Sequence, residues 1–364
     1  KLGGVCPQLN YALIDIVSGG QVKFASNLVA GHGGEEVMIE FTKALNEMID
    51  HAPGPPGIEE VPLSEAVGRT IADNIFCSIE MPPFNKSAMD GFAVRAEDVA
   101  KAPVTLDVVM DIPAGDVPSK TLEPGQAASV MTGAPIPEGA DTVVKVELTS
   151  GFGSDQVTIQ ESAPAGHNVS PKGEILKIGE IILRTGMRIG IEEIGLLASI
   201  GRDPVPVFTR PTAAVISTGD EIVPPAQKEL SGAQIRDSNG PALMGYLQEM
   251  GLDPVFIGRV KDNEESMRKA ITKGMKYDIL MISGGVSAGA YDFIEDVLAK
   301  LDVRVHVRRI AVKPGKPTVF GTRFGKVVFG LPGNPVSSIV IARLLATPVV
   351  GKMLGHLHNT RSHY

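Results

Sequence analysis

The sequence predicts a multidomain protein of the α/β plus β class. A β-rich N-terminal half of small barrel- or sandwich-like domains is followed by a mostly parallel α/β domain in three layers. Three observations predict this. Glycine and proline are abundant, 41 and 27 in 364 residues. They recur between short apolar runs at Pro113, Gly115, Pro118, Pro124, Gly125, Gly133, Pro135, Pro137 and Gly139, as tight turns between short strands would. From Pro211 onward strands and helices alternate, which implies a parallel sheet with helices on both faces. In that half, three apolar runs (215–217, 279–283 and 327–331) each end in a polar, glycine-bearing turn.

The elements follow in order. Ile39, Phe41, Leu45, Met48 and Ile49 recur at helical spacing, so a first helix begins near Met38. APGPPG at 52–57 ends it and opens a linker. Residues 64–72 read as a short helix capped by Ser64. Residues 104–109 and 157–159 alternate as strands do. A helix over 192–200 is closed by Gly201. Then come strand 213–217, helix 238–250 with Leu243, Tyr246, Leu247 and Met250 on its apolar face, strand 253–259, helix 263–275 and strand 279–283. Helix 292–301, strand 304–308, a hairpin of 318–321 with 326–330, and helix 336–345 complete the list.

Bulk numbers limit the function. With 43% hydrophobic and 21% charged residues the composition is that of a soluble globular protein. A formal charge of −8 leaves no basic excess for nonspecific nucleic-acid binding. Two distant cysteines, Cys6 and Cys77, make a disulfide framework improbable and favour a reducing, cytoplasmic location. No uninterrupted apolar stretch reaches the roughly 18 residues that span a bilayer, because Arg343 and Pro348 break the longest one. Residues 1–37 show neither a signal-peptide pattern nor clear periodicity and read as an extension before Met38. The expected boundaries are 1–37, 38–210, 211–354 and a tail at 355–364. The tail histidines His356, His358 and His363 are expected to be solvated.

Ligands of open α/β sheets bind beyond the carboxyl ends of the strands, so the three strand-end turns mark a site for an anionic ligand. Thr218 and Gly219 offer a hydroxyl and a flexible turn, and Asp220 and Glu221 offer oxygen ligands for Mg2+. The plainer alternative is a capped turn; Asp237, Ser238 and Asn239 nearby favour the ligand reading. Ser283, Gly284, Gly285 and Ser287 form an anion-nest candidate ahead of Asp292. Lys313 and Lys316, in a turn stiffened by Pro314 and Pro317, can neutralise an anion or simply form a solvated loop. Pro332, Gly333, Asn334 and Ser337 open the last helix, whose free amides attract anions. In the β-rich half, Ser87, Asp90, Thr132, Gly133, Asp141 and Lys172 lie on loops; Asp90 also reads as a plain Asp-Gly turn.

Seven strings carry a resemblance: MPPFNKSAMDGFAVR (81–95), MTGAPIPEGADTVVKVE (131–147), STGDEIV (217–223), IRDSNGPAL (235–243), ISGGVSAGAYDF (282–293), VKPGKPTVFG (312–321) and GLPGNPVSS (330–338). In this order they closely resemble the MoeA family of molybdopterin molybdenumtransferases, to which the E domain of gephyrin is related. The resemblance implies insertion of molybdenum from molybdate into the dithiolene of adenylylated molybdopterin, with release of AMP. It implies a divalent cation, Mg2+ by the oxygen-rich donors, with Zn2+ the alternative. It implies a homodimer whose cleft joins the α/β domain of one subunit to the β-rich domain of the other, and a MogA-type adenylyltransferase as partner. Catalytic roles are implied for Asp220, Asp141, Asp90, Lys172 and Glu192, and substrate contacts for the loop residues above. Two departures stand out: Asn85 where the family often has Asp, and Ser170 where Arg is common. The family usually continues past the last helix into a small β-barrel, which is expected to be missing here. The rival readings are a non-catalytic pterin-binding scaffold and a molybdopterin adenylyltransferase of the MogA kind.

Overall fold

The computed structural model describes residues 23–24, 38–284 and 291–357. They group into two compact units, one of residues 74–184 with 199–201, the other of 185–198, 202–357 and the described residues before 74. The spatial division therefore differs from the expected cut at 210/211. Strand Ile58–Val61 pairs with Val205–Phe208, which draws both segments into the α/β unit.

The smaller unit is built on a five-stranded sheet: β1 (Gly91–Val94), β2 (Val104–Ile112), β3 (Gln126–Val130), β4 (Thr142–Lys145) and β5 (Gln156–Ile159), ordered β4-β1-β3-β2-β5. Side chains alternate across a strand, and here both faces are apolar. Phe92, Leu106, Val144, Val157 and Ile159 pack in one cluster, and Ala93, Met110, Ile112, Ala128, Val130 and Val143 in another. Cys77 is a buried free thiol in this unit; Cys6 lies outside the described residues.

The larger unit holds a six-stranded sheet of β6 (Ala213–Thr218), β7 (Pro254–Val260), β8 (Ile279–Ser283), β9 (Arg304–Arg308), β10 (Val319–Arg323) and β11 (Lys326–Leu331). Its order is β7-β6-β8-β11-β10-β9, and only β10 runs against the others. Ala213, Val215, Ile279, Met281, Val327 and Phe329 face one layer, with α1 (Phe41–His51), α3 (Asn239–Glu249) and the last helix. Ala214, Ile216, Leu280, Ile282 and Val328 face the other, with α4 (Glu264–Gly274) and α5 (Tyr291–Lys300). The helix α2 is Ile191–Ser199. Local chemistry sets the helix starts: Glu40 accepts from the amides of Thr42 and Lys43, and Asn263 accepts from Ser266 N.

Four expectations need correction. The helix expected at 64–72 is a single 3-10 turn, Leu63–Glu65. Gly68 has φ 76°, and Thr70 and Ile71 are taken up in bridges with Arg188 and Val207. The helix expected to end at 345 continues: α6 (Pro335–Ile341) passes through a π turn, Ala342–Ala346, into α7 (Thr347–Met353). Pro348 sits directly after the π turn, in the first residues of α7. This continuous run, Pro335–Met353, is long and apolar enough to cross a membrane, contrary to the expectation, yet 67% of its most apolar window is buried inside the fold. It is a core helix. Finally, His356 is half-buried rather than solvated, and its amide bonds to Gly351 O at 2.9 Å; His358 and His363 lie outside the described residues.

Candidate functional site

The carboxyl ends of β6, β7, β8 and β11 lie on one edge of the sheet because these strands are parallel. A cleft of about 270 Å³ opens there, lined by Ser217, Thr218, Gly219, Glu221, Asp237, Ser238, Asn239, Asp262, Ser283, Gly284 and Gly333, with Ile222, Ile235, Arg236 and Pro335. Four separate sequence segments thus meet as expected. Gly284 has φ +91°, and a Cβ there would lie 2.5 Å from Thr218 O and 2.8 Å from Thr218 Oγ1. Only glycine lets the ends of β6 and β8 close up this far.

The cleft is braced by a buried carboxylate. Asp237, 3% exposed, accepts from Ser217 Oγ at 3.1 Å and Gly240 N at 2.9 Å with Oδ1. Its Oδ2 lies 3.1 Å from Arg259 Nε. Asp237 thereby ties the end of β6 to the start of α3 and to β7. Asn239 Nδ2 donates to Gly333 O at 2.8 Å, joining α3 to the turn after β11. Asn239 Oδ1 and Ser283 Oγ are buried without a hydrogen-bond partner. Buried polar groups are normally satisfied, so these atoms leave capacity for a ligand.

The rim is acidic. Asp262 follows β7, and Asp262 N donates to Asp220 Oδ1 at 3.4 Å. Its carboxyl is pushed up first by desolvation and then by the charges of Asp220 and Glu221. Among the described residues, no three His, Cys, Asp or Glu side chains form a metal cage. The donor set is all oxygen, however. Mg2+ is typically held by one or two carboxylates together with substrate phosphate and water, so Asp220, Glu221 and Asp262 fit a substrate-bridged Mg2+ better than a self-contained site. Asp262 is absent from the sequence reading.

Other expected residues sit elsewhere. Asp220 is exposed beside the cleft without lining it. Lys313 and Lys316 are exposed, Pro314 and Pro317 are half-buried, and none lines the cleft. Asn334 caps α6, its Oδ1 accepting from Ser337 N at 3.2 Å, and Pro332 is buried. Gly285 and Ser287 lie outside the described residues, as does the side chain of Asp292, whose backbone belongs to α5. Glu192 is exposed in the first turn of α2; the neighbouring Glu193 does the capping, accepting from Gly190 N at 2.8 Å.

In the smaller unit, four expected residues come together. Asp90 Oδ1 accepts from Thr132 N at 2.6 Å and Thr132 Oγ1 at 2.7 Å. These bonds, the backbone one foremost, lower the Asp90 pKa. Gly133 N donates to Ser87 O at 2.8 Å, and the Ser87 hydroxyl donates to Met89 O. Asp141 serves a different turn, accepting from Ala96 N at 2.7 Å. Lys172 pairs with Glu80 at 2.8 Å, and its amide donates to Asn85 Oδ1 at 2.9 Å. Asn85 thus performs a backbone-capping task for which an amide oxygen suffices. Ser170 pairs with Lys86 in a short bridge.

Two family models match the chain: the MoeA N-terminal region (domain I and II) over residues 39–201, and the "Probable molybdopterin binding domain" over 214–352. A molybdopterin molybdenumtransferase of Nostoc sp. is 39% identical over 305 residues, covering 82% of this chain and 70% of that protein. The chain belongs to the MoeA family of molybdopterin molybdenumtransferases. The Bacillus subtilis member is 36% identical over 300 residues, 80% of this chain and 70% of its own. Two structures of the molybdopterin biosynthesis MoeA protein of Pyrococcus horikoshii superpose at TM-score 0.77, with 39% and 30% identity, each covering 88% of this chain and 81% of that one. The match over the N-terminal region disfavours a single-domain adenylyltransferase of the MogA kind.

Proposed function

We propose that the strand-end cleft holds adenylylated molybdopterin while molybdenum from molybdate enters the dithiolene and AMP leaves. The observation that carries this is the convergence of Thr218, Ser283, Gly284, Asn239 and Gly333 around one cleft, with buried polar atoms of Ser283 and Asn239 unpartnered. Hydroxyls and close-approaching backbone suit phosphate oxygens. The turn at 332–334 opens α6, whose dipole adds a positive partial charge, although Pro335 carries no N–H and the Ser337 amide is already bonded to Asn334 Oδ1. Asp220, Glu221 and Asp262 would hold Mg2+, which when bound neutralises charge on the phosphate linkage. Lys313 and Lys316 belong to the ligand's wider electrostatic field rather than to the cleft wall.

The remaining finer assignments are part of the same reading. The enzyme acts as a cytoplasmic homodimer and receives its substrate from a MogA-type adenylyltransferase. The Asp90–Thr132–Gly133–Ser87 loops, with Asp141 and Lys172, serve the partner subunit's substrate. Residues 38–210 and 211–354 are the two functional parts. AMP release from adenylylated molybdopterin, with and without molybdate and Mg2+, tests the reaction. Release that depends on molybdate and yields active cofactor is expected. Tight pterin binding without release would favour the non-catalytic scaffold.

A further inference from the structure

A second group of charged side chains gathers away from the cleft, where β6 and β7 begin. Backbone pairing brings it together. Thr70 bridges Arg188, Ile71 bridges Val207, and Phe208 N donates to Thr70 O. Arg69, Arg188 and Arg210 are thus carried on neighbouring extended segments. A Cβ on Gly68 would lie 3.8 Å from Arg188 Nη2, and one on Gly251 3.8 Å from Arg210 Nη2.

Arg69 is the buried member of the group. It is 8% exposed, and its Nη2 donates to Glu59 Oε1 at 2.5 Å and Phe208 O at 2.9 Å. Its Nε is buried without a partner. Arg188 is exposed and Arg210 half-buried. Neither guanidinium has a carboxylate within ion-pair distance among the described residues. The Arg210 pKa is lowered by burial first and then by Arg69, with Arg188 adding to the repulsion; Asp253 and Glu59 act the other way. His356 is held at about 4 by burial, then by Arg188, so it is a neutral ring at working pH. Three cations therefore face two carboxylates, one of them already engaged by Arg69.

We propose that Arg69, Arg188 and Arg210 form a binding site for a small tetrahedral oxyanion, of the phosphate, sulfate or molybdate kind, separate from the strand-end cleft. Guanidinium groups offer planar forks of N–H donors that match such oxyanions in pairs. A dianion removes the mutual repulsion of Arg210 with its two neighbours and gives the unpaired donors acceptors.

Because Arg69 is buried and anchors the backbone, the test uses Arg188→Met and Arg210→Met. Inorganic phosphate, sulfate and molybdate are titrated into the full chain by calorimetry at low ionic strength, and the His356 ring is followed by NMR. Saturable binding is expected, weakened roughly tenfold or more by each substitution and reduced by salt. The His356 pKa should rise on binding, while AMP release stays at the wild-type rate. Tighter binding of molybdate than phosphate would assign the site to the metal oxyanion, and the reverse to phosphate. Binding unchanged in both variants, or abolished by AMP occupying the cleft, would overturn the proposal. So would a His356 pKa indifferent to every anion.

Discussion

Replacing Asp237 separates bracing from ligand contact. Asp237→Ala removes the acceptor of Ser217 Oγ and Gly240 N and strands Arg259. A hydrogen bond to a charged group contributes about 1.5–3 kcal/mol, and breaking a buried pair costs about 3–5 kcal/mol. The terms share one carboxylate and do not add. Arg259 is also 26% exposed and stacks on Phe256 at 5.0 Å, so part of its charge stays solvated. The loss for Ala is therefore expected near the low end, about 3–4 kcal/mol, a large share of the roughly 5–15 kcal/mol that holds a domain together. Asp237→Asn keeps the shape and one acceptor and should lose about half as much. Urea unfolding gives the shift in midpoint at constant slope, and pterin affinity is measured on the same samples. If Asp237→Asn unfolds at the wild-type midpoint but no longer binds pterin, Asp237 contacts the ligand directly and the bracing argument fails.

Gly284→Ala should destabilise by about 1–3 kcal/mol from overpacking against Thr218 and weaken pterin binding; wild-type affinity would show that the β6 and β8 ends need not close up. Asp262→Asn should raise the melting temperature at neutral pH. The folded pKa of Asp262 lies above its ordinary value, so its charge opposes folding once pH rises through that value. The gain should vanish in acid, and the Mg2+ dependence of AMP release should weaken. For Asp90 the sign is opposite: its lowered pKa gives stability above the ordinary carboxylate pKa that is lost as pH falls through the folded value. A carboxyl NMR titration of Asp90, with Asp90→Asn as control, reads this directly. Lys316→Ala should weaken substrate binding at low salt and much less at high salt; equal loss at both would make the effect structural.

The strands of the α/β unit were legible because each is an apolar run buried on both faces, as Ala213–Thr218 and Ile279–Ser283 are. Their order was not, since the placement of β6 between β7 and β8 is a nonlocal choice. The misread helix at 64–72 has good helix formers, but Gly68 and the pairing of Thr70 and Ile71 override local propensity. Three of the strand ends that border the candidate cleft were legible because each carries a glycine turn. The fourth end, Val260-Lys261-Asp262, has none, so Asp262 escaped. Applying the strand-end rule to every parallel strand, with or without glycine, would have found it. The smaller unit's Asp90–Thr132 contact joins residues 42 apart and has no local signature.

The charges around the cleft set a condition on the proposed chemistry. Glu221, Asp262 and the Arg259-paired Asp237 line it and Asp220 stands beside it, while the lining guanidinium among the described residues, Arg236, is spent on Gln227 O and Lys228 O at 2.9 and 2.7 Å. Within the cleft wall, hydroxyl and backbone donors must then attract a polyanion past like charges, with Lys313 and Lys316 acting from outside it. A divalent cation reverses that balance, because the carboxylates that repel phosphate are the ones that attract the ion. Ion and pterin should therefore enter with mutual support, each raising the other's affinity by the same factor. The arginine cluster at the other edge of the sheet has the opposite character: it offers cations already in place and should take an oxyanion without help.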